Sequence, residues 1–319
     1  MRQLLRPKVG FWGLLTSAAV VVCACTVTGF FGGVWWGFDL TANFRVQYLF
    51  CLLLADIAFL IGKRWPWAVV CGVFALLNLL DILPSFLRPA KHGAGPSRPA
   101  RILLANVLTS NKQYDKVRNL IRSVHPDIIA VLEASEVWVK ELASLDEYPY
   151  VISRPREDNF GIALFSRFPL EEAEIVELGD AGVPTAIARV RMDEKDLTVI
   201  ATHPLPPMGT ARCALRNRQL RAVADYVRSL RTPVIVLGDL NTTPWSPHFK
   251  RLLCRGGLID SRRGRGIHPS WPSDLPWVFR IPLDHVLHSR DIVILRRELC
   301  PDIGSDHLPV VVDLVLSES

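Results

Sequence analysis

The chain has 319 residues, 50% of them hydrophobic and 21% charged, with a mean hydropathy of +0.23. A soluble domain of this size seldom has a positive mean, so the apolar excess must be concentrated somewhere. It lies in the first quarter, which excludes a disordered chain, a disulfide scaffold and a simple cytosolic enzyme. Charge divides at the same place. Lys and Arg number 37 against 31 Asp and Glu; the residues through 90 hold seven and three of these, leaving 30 and 28 for the rest. Most of the formal +6 therefore belongs to the apolar part, and the pI of about 9.0 is no argument for nucleic acid, whose binder would carry its basic excess on the catalytic part.

From Val9 to Phe38 no side chain is charged, and Val46–Gly62 and Trp65–Leu80 are nearly as apolar. A hydrocarbon core of ~30 Å needs about 20 residues of apolar helix. Three transmembrane helices are expected, near 11–36, 46–62 and 65–83. The first run is too long for the apolar region of a cleaved signal peptide, and two more follow it at once. Arg2, Arg6 and Lys8, with Lys63 and Arg64 between the second and third spans, mark the cytoplasmic side. Three spans then make an integral protein of the plasma or inner membrane with its C-terminal domain outside the cytoplasm. Arg88, Lys91, Arg98 and Arg101 oppose that orientation, although long translocated domains obey the charge rule poorly. Trp35, Trp36, Trp65 and Trp67 fall at span ends, where aromatic rings favour the interface. Asp56 and Asp81 read as acids that pack helices or reach the interface. The seven cysteines have no metal-type spacing and read as small apolar residues. Residues 84–100, PSFLRPAKHGAGPSRPA, read as a linker. The expected organisation is a membrane anchor over 1–83, this linker, and one large catalytic domain over 101–319.

In that last part β-rich runs recur at Ile102–Val107, Asp127–Leu132, Ile162–Phe165, Leu197–Thr202, Val234–Leu237 and Val310–Leu314. One helix stands out: Leu215, Leu220, Val223, Ala224, Val227 and Leu230 give an apolar face, with arginines expected on the other side. The informative feature is what closes the strands. Asn106 ends ILLANV, Glu133 ends DIIAVLE, His203 follows TVIAT, Asp239 and Asn241 follow VIVLG, and Asp306 and His307 precede LPVVVDL. One such residue alone is more often a turn former. Together they describe a site gathered at one edge of a sheet.

These motifs, taken in order, resemble the endonuclease/exonuclease/phosphatase superfamily. The resemblance rests on Asn106 in NV, the strand with Glu133, FGIALFSR at 160–167, THP with His203, RNRQ at 216–219, GDLNTTPWSP around Asp239, PLDHV with Asp284, and GSDHLPV at 304–310. It implies an α/β fold, a four-layer sandwich of two mainly antiparallel sheets packed face to face and flanked by helices, here preceded by three transmembrane helices. It also implies Mg²⁺-dependent cleavage of a phosphoester by water, with Mn²⁺ as an alternative metal. One position departs from the pattern: some nuclease members carry an acid two residues after the first Asn, where this chain has Leu108.

The residue types suit that chemistry. Mg²⁺ prefers oxygen and keeps several waters, so one or two carboxylates and a carboxamide suffice. Glu133 is the expected first ligand, with Asn106 beside it and Asp306 as a second carboxylate. Asp239 is placed to orient or deprotonate a water, and Asn241 to donate to a phosphate oxygen. Asp284 would fix the tautomer of His307 and favour its protonated form; either Asp239 or His307 is the base. His203 is a second donor to the phosphoryl group. Arg216 and Gln219, one helical turn apart, are candidates for substrate binding or for buttressing the site.

The segment from Asp260 to Asp284 holds Arg262, Arg263, Arg265 and Arg280 with Trp271, Trp277 and Phe279. Arginine with tryptophan suits an anionic lipid head group or stacked bases. Tethering favours the lipid, because an enzyme held at a bilayer meets lipid-linked phosphates at high effective concentration. The expected partners are therefore the membrane and a phosphoester substrate, lipid-linked or otherwise extracytoplasmic, with Trp271 and Trp277 as substrate contacts. Nucleic acid is the less favoured substrate, and a binding or sensor domain without catalysis the remaining alternative.

Overall fold

A computed structural model of the chain describes residues 10–87, 98–192 and 195–317. Arg2, Arg6, Lys8, Arg88, Lys91 and the middle of the expected linker lie outside them. The chain divides into two compact units between Leu83 and Pro84.

The first unit is helical: α1 (Phe11–Phe30), α2 (Trp36–Ala42), α3 (Arg45–Ile61) and α4 (Trp65–Ile82). Two helices are long and apolar enough to cross a membrane, or three if α2 and α3, bent by 65°, count as one span. The first helix ends at Phe30, not near residue 36 as expected. Gly32 lies in the break, and a Cβ there would sit 2.8 Å from the Cα of Asp39, so the chain turns where only glycine allows α2 so close. Ala19, Cys23, Leu52, Ala55, Phe59, Cys71 and Ala75 form the shared core. A charge is buried at one end. Arg45 is fully buried, donates to the Thr26 carbonyl at 2.8 Å and pairs with Asp81 at 3.2 Å. Asn78 donates to the hydroxyl of Thr26 at 2.9 Å. Asp81 thus packs helices through an ion pair, which a buried arginine requires.

The second unit contains two six-stranded sheets. The first is built from β1 (Ala100–Asn106), β2 (Ile128–Leu132), β3 (Tyr150–Arg154), β4 (Ile162–Ser166), β11 (Ile292–Leu299) and β12 (Val310–Leu316), in the order β11-β12-β1-β2-β4-β3. The second is built from β5 (Leu170–Val176), β6 (Thr185–Met192), β7 (Lys195–Thr202), β8 (Val234–Asp239), β9 (Ile259–Asp260) and β10 (Asp284–His288), in the order β5-β6-β7-β8-β10-β9. Helices α5 (Tyr114–Val124) and α6 (Glu136–Ala143) cover the first sheet; α7 (Thr210–Ser229) and α8 (Pro247–Gly256) cover the second.

Alternation assigns the layers. Ile102, Leu104, Ile128, Ala130, Ile162 and Leu164 meet Ala186, Ala188, Val199, Ala201, Ile235 and Leu237 between the sheets. The intervening Leu103, Ala105, Ile129, Val131 and Phe165 pack outward on Val117, Ile121, Trp138 and Leu142, and Ile200, Val234 and Val236 on Leu220, Val223, Val227, Phe249 and Leu252. Strands covered on both faces read as unbroken apolar runs, which is how β1, β2, β4, β7 and β8 appear in the sequence. The fold is the expected four-layer α/β sandwich.

The two sheets are wired alike. Each has one parallel pair, β1 with β2 and β7 with β8, joined through a covering helix, and its other pairings are antiparallel. A parallel pair brings two consecutive strand C-termini to the same edge, which an antiparallel hairpin cannot do. Asn106 and Glu133 therefore stand together, as do His203 and Asp239. The antiparallel neighbours deliver their beginnings to those edges: Asp284 opens β10 opposite Asp239, and His307 precedes β12, which runs against β1.

Gly238 makes the second of these edges possible, because a Cβ there would lie 2.1 Å from the Thr202 carbonyl oxygen. Gly238→Ala should force β7 and β8 apart, destabilising the unit by about 1–3 kcal/mol and displacing Asp239. A fall in the thermal unfolding midpoint of the purified full chain, with loss of activity beyond that fall, is the expected outcome.

Candidate active site

Glu133 follows β2 with a left-handed backbone, φ 58°, and Asn241 follows β8 with φ 49°. Such backbone is uncommon outside glycine and is kept where surrounding structure fixes it. Both turns are fixed by side chains: the Thr109 hydroxyl donates to the Glu133 carbonyl at 3.0 Å, and Arg216 donates to the Asn241 carbonyl at 2.8 Å. The turns aim Glu133 from one sheet and Asn241 from the other.

Asn106 donates to Glu133 Oε1 at 2.9 Å and accepts the backbone N–H of Leu108 at 3.2 Å, so its carboxamide orients the carboxylate. Leu108, where some nucleases carry an acid, serves here through its backbone.

Asp239 stands at the centre, 2% exposed. Its Oδ1 accepts the N–H of Asn241 at 2.9 Å; its Oδ2 lies 3.3 Å from His203 Nε2 and 3.5 Å from His307 Nε2. His307 donates from Nδ1 to Asp284 at 2.8 Å. Asn241 donates to the Pro204 carbonyl at 2.9 Å, with the same nitrogen 3.3 Å from His203. His203, Asp239, Asn241, Asp284 and His307 are thus one connected cluster. Asp306 receives the indole N–H of Trp271 at 3.0 Å, and the Trp271 ring lies 6.4 Å from that of His307.

The remaining expected contacts fall elsewhere. Arg216 and Gln219 are fully buried; Arg216 acts on the Asn241 carbonyl, and Gln219 donates to the Thr202 hydroxyl at 3.0 Å. They reach the site through other residues, and burial keeps them from the substrate-binding position. Arg216 also corrects the expectation that the arginines of this helix all lie on its outer side. Trp277 is 63% exposed, in a short turn with Phe279 at 59%, away from the cluster's hydrogen bonds. All seven cysteines are free; Cys23, Cys71, Cys213 and Cys300 are buried, and Cys51 and Cys254 are exposed.

The sequence profile of the Endonuclease/Exonuclease/phosphatase family matches residues 103–307, about two thirds of the chain and the span from β1 to His307. The chain belongs to this family. Its members are phosphoesterases, hydrolases that use divalent metal ions, and the cluster lies within the matched span. No curated protein matches significantly. Among solved structures, a family protein from Bacteroides thetaiotaomicron is 17% identical with a TM-score of 0.60, covering 70% of this chain and 100% of its own. A mannosyl-6-phosphatase of the same organism is 18% identical, TM-score 0.58, covering 68% and 100%. TDP2 of D. rerio, complexed with a single-strand DNA product, is 17% identical, TM-score 0.57, covering 68% and 99%. At these identities the likeness establishes the fold.

Electrostatics sort the phosphoesterase cluster into opposite charges. Burial disfavours charge on Asp239, but His307 and His203 outweigh it and hold the carboxyl below its usual range. Burial also disfavours charge on His307, yet Asp284 and Asp239 push it up to about 10. His203 is raised in the same way, against its burial, chiefly by Asp239. Glu133 behaves differently: burial raises it beyond what His203 and Asn106 recover, and its Oε2 is buried with no partner. Asp306 Oδ1 is also buried and unpartnered.

Among the described residues no group of three His, Cys, Asp or Glu is placed to hold a metal. Mg²⁺ does not require one, since it retains waters and takes one or two carboxylates with substrate oxygen. The orphaned Glu133 oxygen beside Asn106 fits such an ion, and a cation there would supply the partner that burial denies.

These shifts fix the pH response. Asp239, with a folded value below its unfolded ~3.9, contributes stability that is present above about pH 4 and lost as pH falls through the folded value. His307, raised from ~6.5 to about 10, contributes stability that is full below about pH 6.5 and lost as pH rises through about 10. Thermal unfolding from pH 2 to 11 should show both limbs, and Asp239→Asn should flatten the acid one.

Proposed function

We propose that this chain is a membrane-anchored, Mg²⁺-dependent phosphoester hydrolase acting on a lipid or other extracytoplasmic phosphate ester. The observation that carries the reading is the buried Asp239 carboxylate flanked by the imidazoles of His203 and His307, together with a buried carboxylate, Glu133, that has one oxygen unsatisfied. Glu133 and Asn106, with Asp306 available, would hold the metal, which would supply Lewis-acid stabilisation of charge developing on the phosphoester.

The chain's own groups divide the remaining work. His307, charged at neutral pH and clamped by Asp284, cannot accept a proton and instead donates to a phosphoryl oxygen. Asp239 orients the attacking water and takes its proton, becoming neutral, as the water oxygen bonds to phosphorus and the ester P–O bond breaks; the leaving alkoxide is protonated from solvent. Asn241, held by Pro204 and Arg216, and His203 present N–H groups to the equatorial oxygens. On this reading Asp239, and not His307, is the base; the high pKa of His307 supports that choice.

Three features support a substrate at the membrane. The apolar helices tether the enzyme; the catalytic part is nearly neutral, with 30 basic against 28 acidic residues; and Leu275, Trp277 and Phe279 expose apolar surface in the segment joining Trp271 to Asp284. Rings of this kind suit the bilayer interface.

With the full chain in lipid nanodiscs, a chelator should abolish phosphate release and Mg²⁺ restore it. Asp239→Asn and Glu133→Gln should each lower kcat by about 10²–10⁴-fold while the circular dichroism spectrum stays unchanged. Release from phospholipids or polyprenyl phosphates is expected; nicking of plasmid DNA with no release from any lipid would establish a nuclease instead.

The extracytoplasmic placement has a separate check. Cys254 is exposed on the catalytic unit, so a membrane-impermeant maleimide should label it in intact cells. Labelling only after lysis would reverse the orientation.

A further inference from the structure

Next to the cluster lies a second polar group, of which only His285, in PLDHV, falls within a family motif. Asp260, Arg262, His285 and Arg297 are buried, with Arg262 1% exposed and His285 fully enclosed. Arg262 pairs with Asp260 through Nη2, and Nε lies 3.2 Å from the other carboxylate oxygen. The same Nη2 lies 3.1 Å from His285 Nδ1, while His285 Nε2 lies 2.8 Å from the Thr242 carbonyl. A carbonyl only accepts and a guanidinium only donates. His285 is therefore neutral, with its proton on Nε2 and its lone pair on Nδ1. Burial and the neighbouring Arg262 act the same way, holding its pKa down at about 3. Arg297 completes the group by donating to the Ser261 hydroxyl at 2.9 Å and to the Asp284 carbonyl at 3.0 Å.

The acceptors of these bonds are the backbone on which the site is mounted. Thr242 follows Asn241 in the left-handed turn after Asp239, and the two consecutive carbonyls of that turn are held from different elements: Asn241 by Arg216 of α7, Thr242 by His285 of β10. His285 itself follows Asp284, the carboxylate that clamps His307. A neutral imidazole of the other tautomer would present a lone pair to the Thr242 carbonyl and repel it.

We infer that Arg262 and His285 are positioning residues of the phosphoesterase site: Arg262 selects the His285 tautomer whose Nε2–H holds the Thr242 carbonyl, and thereby the turn carrying Asp239 and Asn241. This rests on the reading of Asp239 and Asn241 as reacting-site groups. Asp260 keeps the Arg262 charge compensated so that it can be buried beside an uncharged ring.

The test compares three variants of the full chain in detergent micelles. His285→Phe keeps an aromatic ring against Phe249, whose ring lies 4.5 Å from that of His285, but removes both hydrogen bonds. His285→Gln restores an N–H for the Thr242 carbonyl. Phe249→Leu alters the ring contacts with His285 and Arg262 and the local packing but leaves both hydrogen bonds of His285 in place. With Mg²⁺ and bis(p-nitrophenyl) phosphate, kcat of His285→Phe should fall about 10–100-fold with KM within about twofold, as for misplacement of catalytic groups. His285→Gln should recover most of it, and Phe249→Leu should keep at least about half.

A second readout needs no turnover. In ¹⁵N-histidine spectra the His203 ring, which abuts Asn241, should shift in His285→Phe and return in His285→Gln. Wild-type kcat in His285→Phe, equal losses in all three variants, or an unmoved His203 resonance would overturn the assignment. A wild-type chain that leaves the probe ester intact while His203 responds as described would uphold the positioning role and count against the proposed reaction.

Discussion

The catalytic unit is organised around one buried negative charge. A carboxylate out of water must be paired, and pairing it poorly costs several kcal/mol. Asp239 meets that requirement by drawing on both sheets: His203 comes from the end of β7 beside it, and His307 from the loop entering β12 in the opposite sheet. The alignment of the two edges is then an electrostatic condition as much as a packing one. Asp284 is the counterweight, because a cation serving Asp239 from within the protein needs an anion of its own. The result alternates in sign, and each member is held in the charge state its neighbour needs.

Topology explains why such a cluster could assemble from so many distant residues. One parallel pair in each sheet turns two consecutive strand ends into a shared edge, and glycine at 238 lets that edge close on the Thr202 carbonyl. The left-handed turns at Glu133 and Asn241 then redirect the chain so that side chains which would otherwise follow the strand point across the gap.

Much of this is legible in the sequence because of where the protein buries both faces of a strand. β1, β2, β7 and β8 read as apolar runs closed by polar residues, and β12 as one preceded by them; the structure brings Asn106 to Glu133, and His203 and His307 to Asp239. Edge strands left no such signal: β3 and β5, in YVISR and LEEAEIV, are largely exposed and carry charge. β10 was hidden for the opposite reason, being a central strand of five residues with an aspartate and two histidines. The burial of Arg262 and Arg216 is not legible, since sequence spacing does not reveal that Asp260 and the Asn241 carbonyl receive them. In the helical unit Arg45 escaped notice while Asp81, 36 positions away, drew it; only the fold brings the two together.

The division of the cluster between two sheets has a consequence for the life of the chain before it is complete. Glu133 and His307 belong to one half of the sandwich and Asp239 to the other, so the cluster draws on strands far apart in the chain. A fragment that stops short of His307 therefore lacks one of the two imidazoles beside Asp239. The cluster closes only when the strands of both sheets have docked, so its formation reports the finished assembly of the sandwich.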